Sequence, residues 1–243
     1  MKARTAAQRG FSLIELAVVL AAASVLVLVL SGHGSTVAGL SGQRQAEAEL
    51  ERARQAVRSY LLRHHRLPCP GSSSAPLEAA DRCPAGYNRG PFPYHSLGLE
   101  PPGNGPALYY AVHRGNGRDL VDPLPMAVDG NGLDRRGGIE HALAGLARLA
   151  GTDRSQPHHP SQPQYAGQAD CSQGRQSNPA YLLVAAGQRT ANGLDALHHT
   201  FFSSNTYHCT ASPDRPVSAH DHDRVLSESA STLLGWLLRS ARG

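Results

Sequence analysis

Four groups of side chains in this sequence have the type and spacing to do chemistry. Cys69, Cys83, Cys171 and Cys209 could close two disulfides or hold a soft metal, but CxxC-type zinc spacing is absent. Covalent pairing is therefore expected, with Cys69 to Cys83 and Cys171 to Cys209 the favoured one of three arrangements. Among 13 histidines, His158-His159, His198-His199 and His220-Asp221-His222-Asp223 invite a metal reading. Adjacent residues of an extended chain point to opposite faces, so an H-H pair does not converge on one ion, whereas His220 and His222 would share a face. Solvated polar loops are the expectation for these clusters.

A calcium loop is the third candidate, through Asp129, Asn131 and Asp134 of Asp129-Gly130-Asn131-Gly132-Leu133-Asp134, with Glu140 eleven positions after Asp129. It departs from the EF-hand pattern at Leu133, and Asp134 stands where that pattern has glycine, so an Asp/Asn/Gly turn is expected there. The fourth is a single carboxylate, Glu15, inside a run of apolar residues. The chain has no G-x-S-x-G, P-loop, H-E-x-x-H or G-x-G-x-x-G, and no enzyme is expected.

Glu15 belongs to an element whose length has physical meaning. Phe11 to Leu30 is broken only by Ser12, Glu15 and Ser24, and twenty helical residues span about 30 Å, the thickness of a bilayer's hydrocarbon core. Lys2, Arg4 and Arg9 precede it without an acid, which holds that end in the cytoplasm and exports everything after Leu30. A cleaved secretory signal would need small residues at its end, and Ser31-Gly32-His33-Gly34-Ser35 is a poor site. A carboxylate at this depth costs at least about 2.5 to 3.5 kcal/mol, which marks Glu15 as a group with a partner.

Gly10-Phe11-Ser12-Leu13-Ile14-Glu15, after a basic leader and before an apolar helix, resembles the prepilin signal of type IV pilins and type II secretion pseudopilins. The resemblance implies cleavage by prepilin peptidase between Gly10 and Phe11, and N-methylation of the new amine at Phe11. It also supplies Glu15 with a partner, the Phe11 amine of a neighbouring subunit. Opposite charges in low dielectric attract strongly, and a pair of that kind sets axial register more than it adds net stability. Some pseudopilins bind calcium in the head, which is what the resemblance adds to Asp129, Asn131 and Asp134.

The remaining elements follow from punctuation and period. Ser31 to Gly42 carries four glycines, each costing about 1 kcal/mol in a helix interior, and in pilin-like filaments such a stretch loses helical order on assembly. Ala46, Leu50, Ala53, Val57, Tyr60 and Leu61 recur at helical spacing, a stripe that predicts packing on the chain's own head, with Pro68 and Pro70 ending the helix. Leu108–Val112 and Tyr181–Ala185 read as buried strands; Glu140–Ala150 and Glu228–Arg239 read as helices, the second capped by Ser227. Thr152 to Ala180 is Gln-, Pro-, His- and Ser-rich, and reads as an exposed loop or disorder. Arg66-Leu67-Pro68-Cys69-Pro70, with Cys83, Gly90-Pro91-Phe92-Pro93 and Ser96-Leu97-Gly98-Leu99, resembles a subgroup of prepilin-like proteins with an L-P-C-P motif.

The expected fold is α+β and pilin-like: a long amino-terminal α-helix, half transmembrane and half amphipathic, on a small antiparallel-sheet head with disulfides. Leader 1–10, transmembrane helix 11–30, Gly-rich segment and amphipathic helix 31–65, and exported head 66–243 are its parts. The expected role is a minor pilin or pseudopilin, single-pass in the inner membrane with a periplasmic head, since 243 residues less the ten of the leader is large for a major pilin. Its partners would be prepilin peptidase, other pilin or pseudopilin subunits and the inner membrane, and no cofactor is expected unless calcium. The alternative is a signal-anchored periplasmic protein that binds metal or ligand. Net charge is +4, but Lys2, Arg4 and Arg9 account for three of the 23 basic residues, and without the leader 20 face 19 acids. Nucleic acid is not predicted from such a balance.

Overall fold

The computed structural model describes residues 13–72, 75–78, 83–103, 107–115, 117–123, 138–149, 151–161, 171, 175–185, 208–214 and 223–241, with the backbone alone for 25–41. The chain divides into two compact units, Met1–Gln45 and Ala46–Gly243. Helix α1, Leu13–His64, begins in the first unit and ends in the second, and Ser31 to Gly42 is helical. Among the described residues no helix is long and apolar enough to cross a membrane; the described side chains of the apolar run stop at Ser24.

In the second unit the helical stripe becomes one wall of the core. Leu50, Ala53, Val57, Tyr60 and Leu61 are buried together, with Ala46 packed against them. They face a four-stranded antiparallel sheet of order β10-β9-β4-β3, made of β3 (Arg89–Pro91), β4 (Leu108–Val112), β9 (Tyr181–Ala185) and β10 (Arg224–Glu228). Tyr110 stands opposite Leu183, Leu108 opposite Ala185 and Val112 opposite Tyr181, all in the core that α1 covers. Ala111 and Leu182, one residue out of phase, share the other face with Val225, as the two-residue period of a strand requires. Smaller pairs are β1 (Gly71–Ser72) with β2 (Ala75–Glu78), β5 (Arg114–Gly115) with β6 (Arg118–Asp119), and β7 (His159–Pro160) with β8 (Gln176–Ser177).

Several boundaries differ from expectation, each for a local reason. Helix α1 stops at His64 because His65 turns to a φ of 50°, its N–H still bonded to Leu61 O at 2.9 Å; the left-handed residue, not Pro68, ends the helix. Helix α2 is Gly138–Ala147 rather than 140–150, and buries Ile139, Ala142, Leu143 and Leu146. Helix α3 is Ala230–Ser240, and its cap is Ser229, whose Oγ accepts the Thr232 N–H at 3.1 Å. Ser227 and Glu228 remain in strand β10. The segment from Thr152 to Ala180 is not wholly exposed: it contributes β7 and β8, and His158 and His159 are buried.

Disulfides join Cys69 to Cys83, with Cα atoms 5.6 Å apart, and Cys171 to Cys209, with Cα atoms 6.1 Å apart. The first ties the chain leaving α1 to the approach to β3. The second ties residue 171 to an isolated parallel bridge between His158 and Cys209.

Candidate processing and assembly site

The first unit presents a helix start with an acid in its first turn. Glu15 is exposed there, where the aligned peptide dipoles favour negative charge by about 0.3 to 1 kcal/mol. Leu13, Ile14, Leu16, Val18, Val19 and Leu20 around it are more than half exposed, Leu13 at 87%. An apolar surface of this kind, wrapped around one carboxylate, is built for a nonaqueous surrounding or for neighbouring helices. Ser24 turns its hydroxyl inward to donate to Leu20 O at 2.6 Å, so it puts no unsatisfied donor into such a surrounding. Gly10 and Phe11 lie outside the described residues.

The other candidate groups are placed as follows. Asp129, Asn131 and Asp134 lie outside the described residues, as do His198, His199, His220 and His222; Glu140 is in the first turn of α2. His158 and His159 diverge as neighbours on extended chain do. His159 donates from Nδ1 to Pro160 O at 2.8 Å, because a carbonyl can only accept, and its Nε2 therefore accepts from Ser227 Oγ at 2.9 Å. Burial lowers the basicity of both imidazoles. His158 instead lies with Cys171 and Cys209, the ligand atoms of all three within 4.8 Å of one another. No sequence spacing signals that group, since the three positions are brought together only by the fold.

Two ionic clusters were also invisible to spacing. Glu78 of β2 accepts from Arg66 at 2.9 and 3.3 Å, from the Tyr60 hydroxyl at 3.1 Å and from the Cys69 N–H at 2.6 Å. One carboxylate thus fastens the end of α1 to the first residues after it, including Leu67-Pro68-Cys69-Pro70. Burial, then the Glu78 charge, pushes the Tyr60 phenol up to about 12, so it stays a donor. Arg58 of α1 donates to Glu228 of β10 at 2.7 Å. Both clusters hold α1 to the head; neither leaves an open position for a reacting atom.

Residues 5–31 match the prokaryotic N-terminal methylation motif. No characterised protein and no solved structure matches the chain. The matched residues contain Gly10, Phe11 and Glu15 and identify this start as the signal of type IV pilin-like and pseudopilin precursors, which implies processing by prepilin peptidase and assembly with other pilin subunits. They end before Leu67-Pro68-Cys69-Pro70, so the L-P-C-P resemblance stands on those residues alone.

Proposed function

We propose that the chain is a minor subunit of a type IV pilus or type II secretion pseudopilus, anchored in the inner membrane by residues 11–30 with its head on the periplasmic side. The observation that carries this is the methylation motif over residues 5–31, laid on a helix whose first turns expose apolar side chains around Glu15. In this reading Gly10 is the last residue of the leader, Phe11 bears the new methylated amine, and the Glu15 carboxylate meets that amine on an adjacent subunit. A charge pair formed in low dielectric penalises every axial offset that leaves one charge alone, by several kcal/mol. The 233 residues that remain after the leader, 243 less ten, support a minor rather than a major component.

Co-expression with prepilin peptidase and mass spectrometry of the amino terminus test the reading. A chain beginning at methylated Phe11 is expected; an intact Met1, which would leave a signal-anchored periplasmic protein, or cleavage near Ser31, which would remove the anchor altogether, overturns it. If processing occurs, Glu15→Ala should be cleaved but should enter filaments poorly, which immunogold counts along sheared filaments would measure.

A further inference from the structure

The Cys171–Cys209 disulfide has an imidazole beside it. His158 pairs with Cys209 across a parallel bridge: its N–H donates to His208 O at 2.9 Å and its carbonyl accepts the Thr210 N–H at 3.0 Å. Its side chain is oriented too. Nδ1 lies 2.8 Å from Gln156 O, and since that carbonyl can only accept, Nδ1 carries the proton and Nε2 the free lone pair. An imidazole held through its other nitrogen by a carbonyl is how proteins present histidine to a metal. His158 and Cys209 are buried, and Cys171 is half-buried.

We propose that this disulfide closes a second, mutually exclusive state of the head: with Cys171 and Cys209 reduced, both sulfurs and His158 bind one zinc ion. The distances suit it. Donors around a tetrahedral zinc, with Zn–S near 2.3 Å and Zn–N near 2.0 Å, stand about 3.5 to 3.8 Å apart. The three ligand atoms already lie within 4.8 Å, and breaking the sulfur–sulfur bond lets the thiolates spread toward that separation. Two thiolates and one neutral imidazole balance the ion's two charges and leave a fourth position for water.

The chemistry balances with a dithiol as reductant. Its two thiols lose two electrons and two protons and become a disulfide; the bond between Cys171 and Cys209 breaks, and each sulfur takes a proton. Zinc then displaces both protons to solvent as two Zn–S bonds form. In the reverse direction an external disulfide takes the two electrons from the Cys171 and Cys209 thiolates and two protons from solvent, becoming a dithiol, while the Cys171–Cys209 bond re-forms, both Zn–S bonds break and the ion is released. The site is independent of the filament reading, because it lies wholly in the head and needs no processing at Gly10.

The test uses the full-length chain in detergent micelles, reduced under anaerobic conditions. Cobalt(II) as probe should give a thiolate-to-cobalt absorption band at one ion per chain, absent from the oxidised chain and weakened at least tenfold by His158→Gln. Zinc should shield Cys171 and Cys209, but not Cys69 and Cys83, from alkylation by iodoacetamide, read by peptide mass spectrometry with and without the ion. That second measurement needs no variant, so a misfolded His158→Gln does not rescue the idea. A missing cobalt band, a band unchanged by His158→Gln in a folded chain, or alkylation of all four cysteines alike with zinc present each overturns the proposal.

Discussion

Arg58 in the last two turns of α1 and Glu228 at the last position of β10 form an ion pair at 2.7 Å across 170 residues of sequence, with the glutamate side chain 3% exposed. The Tyr181 hydroxyl supports the second carboxylate oxygen at 3.4 Å, and the guanidinium lies 5.1 Å from the centre of the Trp236 ring. One pair therefore joins the amphipathic half of α1, the sheet and helix α3.

Breaking that pair from one side should cost far more than replacing it from both. Glu228→Gln or Arg58→Met leaves a buried, poorly compensated partner, and each should destabilise the head by about 3 to 5 kcal/mol. Arg58→Met combined with Glu228→Leu removes both charges and should lose less than either single change. Trp236 is the sole tryptophan and sits beside Arg58, so its fluorescence during urea unfolding reads the effect directly. A double variant as unstable as the sum of the singles would show the pair to be worth nothing as a pair.

The same pair explains where reading the sequence fell short. Leu108–Val112 and Tyr181–Ala185 were legible because a short apolar run between turn residues has few alternatives, and the α1 stripe because its period is helical. Glu228, by contrast, reads as the first residue of a helix, since it follows the candidate cap Ser227. It stays in the strand, buried against Arg58 and Tyr181, and Ser229 caps α3 in place of Ser227, whose hydroxyl serves His159. His158 and His159 read as solvated for the same reason: burial of a polar side chain is decided by partners far away in the chain. At Glu15 the motif was local in sequence, so the candidate site was legible where most of the head was not.

Gly90 lies in β3 where there is no room for a side chain. A Cβ there would stand 2.6 Å from Gly71 O and 2.8 Å from the Tyr87 hydroxyl, which itself donates to Gly71 O at 2.7 Å. Gly90→Ala must push β3 from β1 or break that hydrogen bond, at a cost of about 1 to 3 kcal/mol. Gly103→Ala, with open space around it, should change the urea midpoint little. Equal midpoints for the two variants would contradict the packing described here.

The Cys69–Cys83 crosslink spans a sequence separation of 14 residues, and Cys69 is buried beside the Glu78 cluster. Replacing both cysteines by serine should remove about 3 kcal/mol, mostly by freeing the unfolded chain. The Arg66 and Tyr60 bonds to Glu78 do not pass through sulfur, so the end of α1 should keep its native amide protection in hydrogen exchange. Loss of that protection would show that the disulfide, not the carboxylate, organises the segment.

Acid should weaken the head through His113. The residue is 1% exposed, its Nδ1 has no hydrogen-bond partner among the described residues, and Nε2 lies beneath Gly115 together with an Asp153 oxygen. Burial drives its pKa down to about 4 from 6.5; Asp153 and Asp119 oppose the shift, and Arg118 adds to it. Between those values the unfolded chain takes up the proton and the folded one does not, so the contribution of neutral His113 is complete above pH 6.5 and is lost as pH falls toward 4. Asp153, held below the usual carboxylate range mainly by the Ser155 hydroxyl, loses its contribution only at lower pH, which separates the two effects. Urea midpoints read by Trp236 should therefore fall between pH 6.5 and 4, and His113→Gln should flatten the slope in that window. A slope unchanged by His113→Gln would assign the acid sensitivity to other buried histidines.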